Sequence, residues 1–369
     1  MNFAPNWASP LHDTVARILA SSELTIDELA VRLECSEDLL IDILEGREAL
    51  GSKLAHSFSK ELGSTPQFWQ TRSRQFFEDS DRLQTERTQG ELAQWGAQFP
   101  VQAMRKLGWL PKRHRGTKLS EDILEFFGCA TVPEWRHRYS TGIGEVAFRT
   151  SFAFETNELA TLAWLRTGEK LANQLPASDF SIAQFSEMAP SLKKYCVYKH
   201  PSTFFGKLQK ACADYGVKLV SSRAPAGCRA SGASWISEDG NPVVLVSFRH
   251  LSEDHFWFTF FHEVGHVVLH DPAHIEIDGT DPSPLANSEH EEQADTFAQD
   301  TLVQPNLREE LVSSVPTKTF VRSIARRANV TPGIVVGQLQ KAGCLQPSQL
   351  NFLKRRYRWG SSTHLPELV

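Results

Sequence analysis

No run of 18 uncharged apolar residues occurs in the 369-residue chain, so no membrane-spanning helix is expected. The first residues lack the basic-then-apolar pattern of a secretory signal. The six cysteines (Cys35, Cys129, Cys196, Cys212, Cys228 and Cys344) are scattered and form no Cys-x-x-Cys pair. That spacing argues against a disulfide framework and fits reduced thiols in a cytoplasmic protein. Internal repeats and low-complexity segments are absent as well. The composition, 41% apolar, is that of a globular protein, and the length exceeds one ordinary core, so two or more domains are expected.

What is present centres on His262-Glu263-Val264-Gly265-His266, inside an apolar run from His255 to His270. Residues four apart share a helix face, so His262 and His266 can point two imidazoles at one metal ion. Glu263 sits beside them, close enough to take a proton from a water. Neutral imidazoles suit Zn²⁺ and leave a coordination position open. The apolar flanks are those of a buried helix. The competing reading is a His pair that merely fills an apolar core. His270, one turn further on the same face, reads as a group backing the pair or as a structural residue. His255, two turns earlier, lines either the site or only the helix start.

A third ligand should follow, and Ser288-Glu-His-Glu291-Glu-Gln-Ala-Asp295 supplies a candidate. Glu291 and Asp295 are four apart on one face of a predicted helix. Glu291 could complete a two-His-one-Glu site, with Glu292 as the alternative. Asp295 could accept the second N–H of a ligand histidine and fix its tautomer. Alternatively, Ser288-x-x-Glu291 is a capping box and Asp295 lies on the surface. The metzincin pattern needs a glycine and a third histidine at spacings this chain lacks.

The helix His-Glu-Val-Gly-His-Val-Val-Leu-His, followed by Glu-x-x-Ala-Asp-x-Phe-Ala and Pro305, resembles the ImmA/IrrE family of zinc metallopeptidases. The resemblance implies Glu291 as the third ligand. That family more often has Glu at the position of Gln293 and Asn at that of Asp295; neither departure removes a ligand. Trp109-Leu-Pro-Lys, Phe126-Phe-Gly and Ala147-Phe-Arg resemble longer members that carry an N-terminal helix-turn-helix.

Residues 1–80 read as short helices: Leu11 to Ala20, a second capped by Thr25 with Glu28 three later, a third capped by Ser36, and Lys53 to Leu62. The stretch through Ser64-Thr-Pro-Gln-Phe-Trp69 resembles HigA-type antitoxins and related repressors, which implies a helix-turn-helix; Phe68 and Trp69 read as packing residues. A DNA reader places basic or amide side chains at the start of its second helix. Here that start is Ser36-Glu37-Asp38, and residues 1–79 carry 7 Lys/Arg against 13 Asp/Glu. Such a surface repels phosphate. DNA binding is therefore disfavoured against dimerisation or the gripping of another protein.

Residues 81–190 read as a helical linker, with helices at 92–107, interrupted by Gly96 and Pro100, at 120–127 and at 159–171. The basic cluster Lys112 to Arg115 with Lys118 reads as a solvated loop. From Pro201 the pattern changes: a helix from Thr203 to Tyr215 leads into strands at 217–220, 233–237 and 242–248, the last two joined by a turn as an antiparallel hairpin. Ser231, Gly232 and Ala233 are candidates for binding substrate backbone, with an edge strand taking a peptide in extended form. The tail, 306–369, is predicted helical at 319–328, 332–341 and 348–356. It carries 10 Lys/Arg against 3 Asp/Glu. Those cations are expected either to dock on the acidic N-terminal helices, within a chain or across a homodimer, or to hold a nucleic-acid or acidic-peptide partner; the competing reading is plain surface charge.

The expected fold class is thus α+β: a helix-turn-helix domain (1–80), a helical linker (81–190), a gluzincin-like metallopeptidase domain with a small sheet (191–305) and a basic helical tail (306–369). The expected function is zinc-dependent, regulatory cleavage of a specific protein partner, which the resemblance implies to be repressor- or antitoxin-like. The expected site is Glu263 as general base with His262, His266 and Glu291 on Zn²⁺, backed by Asp295 and His270. The alternative is a DNA-binding regulator or antitoxin whose metal domain senses or binds without cutting.

Overall fold

A computed structural model describes residues 7–20, 24–139, 156–270, 276–278, 288–362 and 364–369. The Ala147-Phe-Arg stretch lies outside the described residues. The chain divides into two compact units, residues 1–95 and 96–369.

The first unit is helical: α1 (Leu11–Leu19), α2 (Ile26–Arg32), α3 (Glu37–Leu44), α4 (Ser52–Leu62) and α5 (Pro66–Ala97), whose last two residues belong to the second unit. The caps read from sequence are made. Thr25 and Glu28 form a reciprocal capping box, and the Ser36 hydroxyl accepts from the Leu39 N–H at 3.3 Å. Leu11, Val15, Leu29, Leu33, Leu40, Ile43, Phe58 and Trp69 make the core. Trp69 is fully buried and its indole N–H donates to the Gly63 carbonyl at 2.9 Å, whereas Phe68 is 39% exposed. The length of α5 has no apolar signature. Arg74–Glu78, Arg82–Glu86 and Arg87–Glu91 pairs one turn apart run along it, the pattern of a helix whose exposed middle is laced by charge.

The second unit opens with α6 (Val101–Lys106), α7 (Gly116–Phe127), α8 (Val132–Tyr139) and α9 (Thr156–Ala172). The predicted 92–107 helix is split: α5 runs on through Gly96, and a break at Pro100 starts α6. Gly96 is required there because a Cβ would lie 3.0 Å from the Ser120 Cβ of α7. Then follow α10 (Ile182–Met188), a 3₁₀ segment (Ala189–Val197) and α11 (Pro201–Ala213).

Four strands form one sheet: β1 (Lys218–Ser221), β2 (Gly232–Ile236), β3 (Pro242–Val246) and β4 (Glu276–Asp278), in the order β1-β3-β2-β4. The β2–β3 hairpin is antiparallel, as predicted, and Gly240 takes the left-handed conformation its turn needs (φ 84°). β1 runs parallel to β3, and β4, which no sequence pattern marked, pairs antiparallel with β2. Central β3 is buried on both faces. Val243 and Leu245 face the cluster of α9, with Trp164 and Leu165, while Val244 and Val246 face that of α11 and the helix after β3. Gly168 lets α9 come close, since a Cβ there would sit 2.5 Å from Leu245 Cδ2.

That helix is α12 (Glu253–Leu269), followed by α13 (Ser288–Leu302), α14 (Pro305–Ser313), α15 (Lys318–Ala328) and α16 (Pro332–Lys341). The predicted 348–356 helix does not form. Leu350 turns into the left-handed region (φ 55°), a single 3₁₀ turn spans Asn351–Leu353, and the chain then extends toward β5 (Tyr357–Arg358), which pairs with β6 (Glu367–Leu368). The extended course has a cause at the base of α12. Arg355 and Glu253 exchange backbone contacts (Glu253 N–H to Arg355 carbonyl 3.1 Å; Arg355 N–H to Glu253 Oε1 2.9 Å). Lys354 Nζ donates to Asp254 Oδ2 and, at 2.6 Å, to Gln340 Oε1. Lys354 Nζ and the Arg355 N–H thus meet two buried carboxylates of their own unit. Gly333 and Gly337 of α16 leave room for those carboxylates. All six cysteines are free thiols. Among the described residues, no helix is long and apolar enough to cross a membrane.

Candidate metal centre

α12 is buried along nearly its whole length, Glu253 and Asp254 included, so its polar residues are held where water does not compete for them. It lies against the sheet on one side and α13 on another. The crossing with α13 is close because Gly265 faces Ala294: a Cβ on Gly265 would lie 3.1 Å from Ala294 Cα. The glycine between the two motif histidines thus sets the distance at which Glu291 meets them.

His262, His266 and Glu291 converge, each offering one ligand atom within 4.8 Å of the others. The two Nε2 atoms stand 3.0 Å apart. Glu291 Oε2 is 3.3 Å from His262 Nε2, and Oε1 is 3.5 Å from His266 Nε2. Glu292, the alternative ligand, is exposed and lines a surface groove on another face of α13. The capping-box reading of Glu291 turns on Ser288, whose side chain lies outside the described residues. Both histidines are buried, 2% and 3% exposed, which opposes protonation. For His266 burial comes first, with His262, His270 and His290 adding to it, and together they pull its pKa from 6.5 to about 2. Two neutral imidazoles and a carboxylate form the donor set that Zn²⁺ takes, so the residues present fit the metal.

The surroundings orient the rings. His262 Nδ1–H donates to Asp295 Oδ1 at 2.9 Å, which leaves its Nε2 lone pair facing Glu291. Burial alone would raise the Asp295 carboxyl, but the His262 bond and Lys341, with Nζ 3.5 Å from Oδ2, hold it below the ordinary carboxylate value. His270 stands with Nδ1 3.0 Å from His266 Nδ1 and Nε2 3.0 Å from Gln293 Oε1. Burial lowers its pKa, so its ring also stays neutral. His290 stacks on it at 4.0 Å with the rings 12° apart. Asp295 and His270 thus lie behind the two histidines, on the sides away from Glu291. His255 lies a helical turn and more away, stacked on His250 at 4.1 Å.

Glu263 is fully buried beside β2. A Cβ on Gly232 would fall on Glu263 Oε1 and lie 2.7 Å from both Glu263 Cγ and Thr259 Cγ2. The close approach that Gly232 permits is therefore that of Glu263. Gly232 and Ala233 are also paired on both sides, with β3 and β4, so among the described residues β4 rather than β2 ends the sheet on this side. Ser231 lies just outside β2, its carbonyl accepting from the Ser247 N–H at 2.9 Å. Gly232 and Ala233, read from sequence as lying at the start of a strand where a peptide backbone could approach, thus lie within β2 between two paired neighbours.

Residues 212–339 match the family model of Peptidase_M78, the IrrE N-terminal-like domain. The match runs from the end of α11 to α16, taking in the sheet, α12 and α13. It supports the resemblance to the ImmA/IrrE family and suggests a metallopeptidase-like function. No curated protein matches the chain. His290 and Lys341 escaped the sequence reading. His290 adjoins Glu291, a signal available in the same helical turn; Lys341 arrives from α16, 46 residues beyond Asp295, with no local signal.

Proposed function

We propose that the chain is a zinc-dependent, gluzincin-like endopeptidase that cuts a specific protein partner. The observation that carries this reading is the meeting of the His262 and His266 Nε2 atoms with the Glu291 carboxylate, one residue from a buried glutamate. A bound Zn²⁺ would polarise the scissile carbonyl and activate water near neutral pH.

The rest falls to the chain. Glu263 takes a proton from the attacking water and returns it to the leaving amine. Its burial shields the shuttle from bulk solvent. Asp295 keeps His262 in the Nδ1–H tautomer and holds its ring in place. The edge of β4, on the side of β2 away from β3, is the strand to which a substrate backbone would add.

The partner is proposed to be a repressor- or antitoxin-like protein, met through an N-terminal helix-turn-helix. The start of α3 supports a protein rather than DNA. It bears Glu37 and Asp38, while Arg47 at its far end is paired with Asp42 (2.6 Å) and Glu45. Glu263→Gln tests the proposal. Wild-type protein and variant are incubated with a proteome-derived peptide library, and new termini are read by mass spectrometry. Wild-type cleavage lost in the variant, with zinc retained, is the expected outcome. Equal product patterns would remove Glu263 from the chemistry.

A further inference from the structure

We infer that Gln293 and His270 are positioning residues that set the tautomer of His266 through a hydrogen-bond chain ending on Glu289. The inference rests on the metal reading and concerns how one of its ligands is prepared.

The direction of each bond follows from its far end. A carboxylate only accepts, so Gln293 Nε2 donates to Glu289 Oε1, 3.2 Å away and one helical turn earlier. This fixes the amide, and its carbonyl oxygen is turned to His270 Nε2 at 3.0 Å. A carbonyl oxygen also only accepts, so His270 Nε2 carries the proton. In a neutral ring, His270 Nδ1 is then a lone pair. It faces His266 Nδ1 at 3.0 Å, and two lone pairs at that distance would repel, so His266 Nδ1 is the donor. The His266 Nε2 lone pair then faces His262 Nε2, also 3.0 Å away, and Glu291 Oε1, a meeting of acceptors that a shared cation such as Zn²⁺ would reconcile. His290, stacked flat on His270, holds the plane of the intermediate ring.

The two ligand histidines are thus prepared by different devices. A carboxylate, Asp295, acts directly on His262. An amide acts on His266 through a second imidazole. The amide fixes a direction without placing another negative charge behind the site. The histidine at 270 and the acceptor at 293 are therefore needed together, and an acceptor of either kind at 293 serves.

The test uses the full chain, stripped with chelator and titrated with Zn²⁺ against a chromophoric competitor. Gln293 is exposed, so Gln293→Leu should fold, which thermal melting verifies. Zinc affinity should fall about 10- to 100-fold in Gln293→Leu and in His270→Phe, and Gln293→Glu should restore it. In the zinc-loaded chain, ¹⁵N spectra should show His270 protonated at Nε2 in wild type and as a mixture of tautomers in Gln293→Leu. Unchanged affinity and unchanged tautomer in Gln293→Leu would overturn the relay. Failure of the wild type to bind Zn²⁺ would overturn the metal reading instead.

Discussion

Gly232→Ala isolates the placement of the proposed general base. Gly232 does not use the left-handed region, so alanine suits its backbone, and the only objection is space. The added methyl would fall on Glu263 Oε1 and lie 2.7 Å from Glu263 Cγ and Thr259 Cγ2. Glu263 is fully buried, so it cannot swing into solvent; it must change rotamer or push β2 away from α12. Overpacking of this kind costs about 1–3 kcal/mol. A shift of the carboxylate by about 1 Å costs on the order of 10²-fold in rate. The metal ligands are untouched, so zinc content should stay at the wild-type level. The assay is turnover of one library-derived peptide, beside zinc content and thermal melting. Gly206→Ala is the control: nothing lies within 4 Å of its Cβ, and a helical glycine replaced by alanine should stabilise by up to about 1 kcal/mol. A Gly232→Ala protein with wild-type turnover and wild-type melting would refute the packing of Glu263 against β2.

Three further outcomes follow from the same geometry. Lys354→Met strands the buried Asp254 carboxylate, so it should cost about 3–5 kcal/mol in denaturant unfolding, and adding Asp254→Leu should recover much of the loss. Gly265→Val should spread α12 from α13, where even a single Cβ sits 3.1 Å from Ala294 Cα, and should weaken zinc binding in a chelator competition. For the metal-free chain, the folded-state pKa of His266 is about 2 against an ordinary 6.5. Between those values the unfolded chain binds a proton that the folded chain refuses. Stability should therefore fall as pH drops below 6.5, and His266→Leu should flatten that slope in thermal melts across the acid range.

The chemistry of the centre was legible because it is local. His262, Glu263 and His266 lie within one helical turn and a half, and Glu291 with Asp295 repeats that spacing in a second helix. Helices with apolar stripes or caps, such as α2, α3 and α16, were equally readable. What escaped depends on partners distant in sequence. β4 is three residues long and exists by pairing with β2. The 348–356 stretch carries a helical pattern, but its end is pulled straight by Glu253 and Asp254, about a hundred residues earlier. Two of its cations, Lys354 and Arg355, meet buried carboxylates that cannot be seen from the tail alone. Gly232 read as room for a substrate because the side chain that fills that room comes from α12.

The most direct measurement is the zinc content of the full chain, purified without chelator and read by mass spectrometry of the element, for wild type and for Glu291→Ala. One zinc per chain in the wild type, and its loss from a Glu291→Ala protein that still melts cooperatively, is the expected result. A folded wild-type chain that neither carries zinc nor takes it up on titration would contradict the assignment of His262, His266 and Glu291 as ligands.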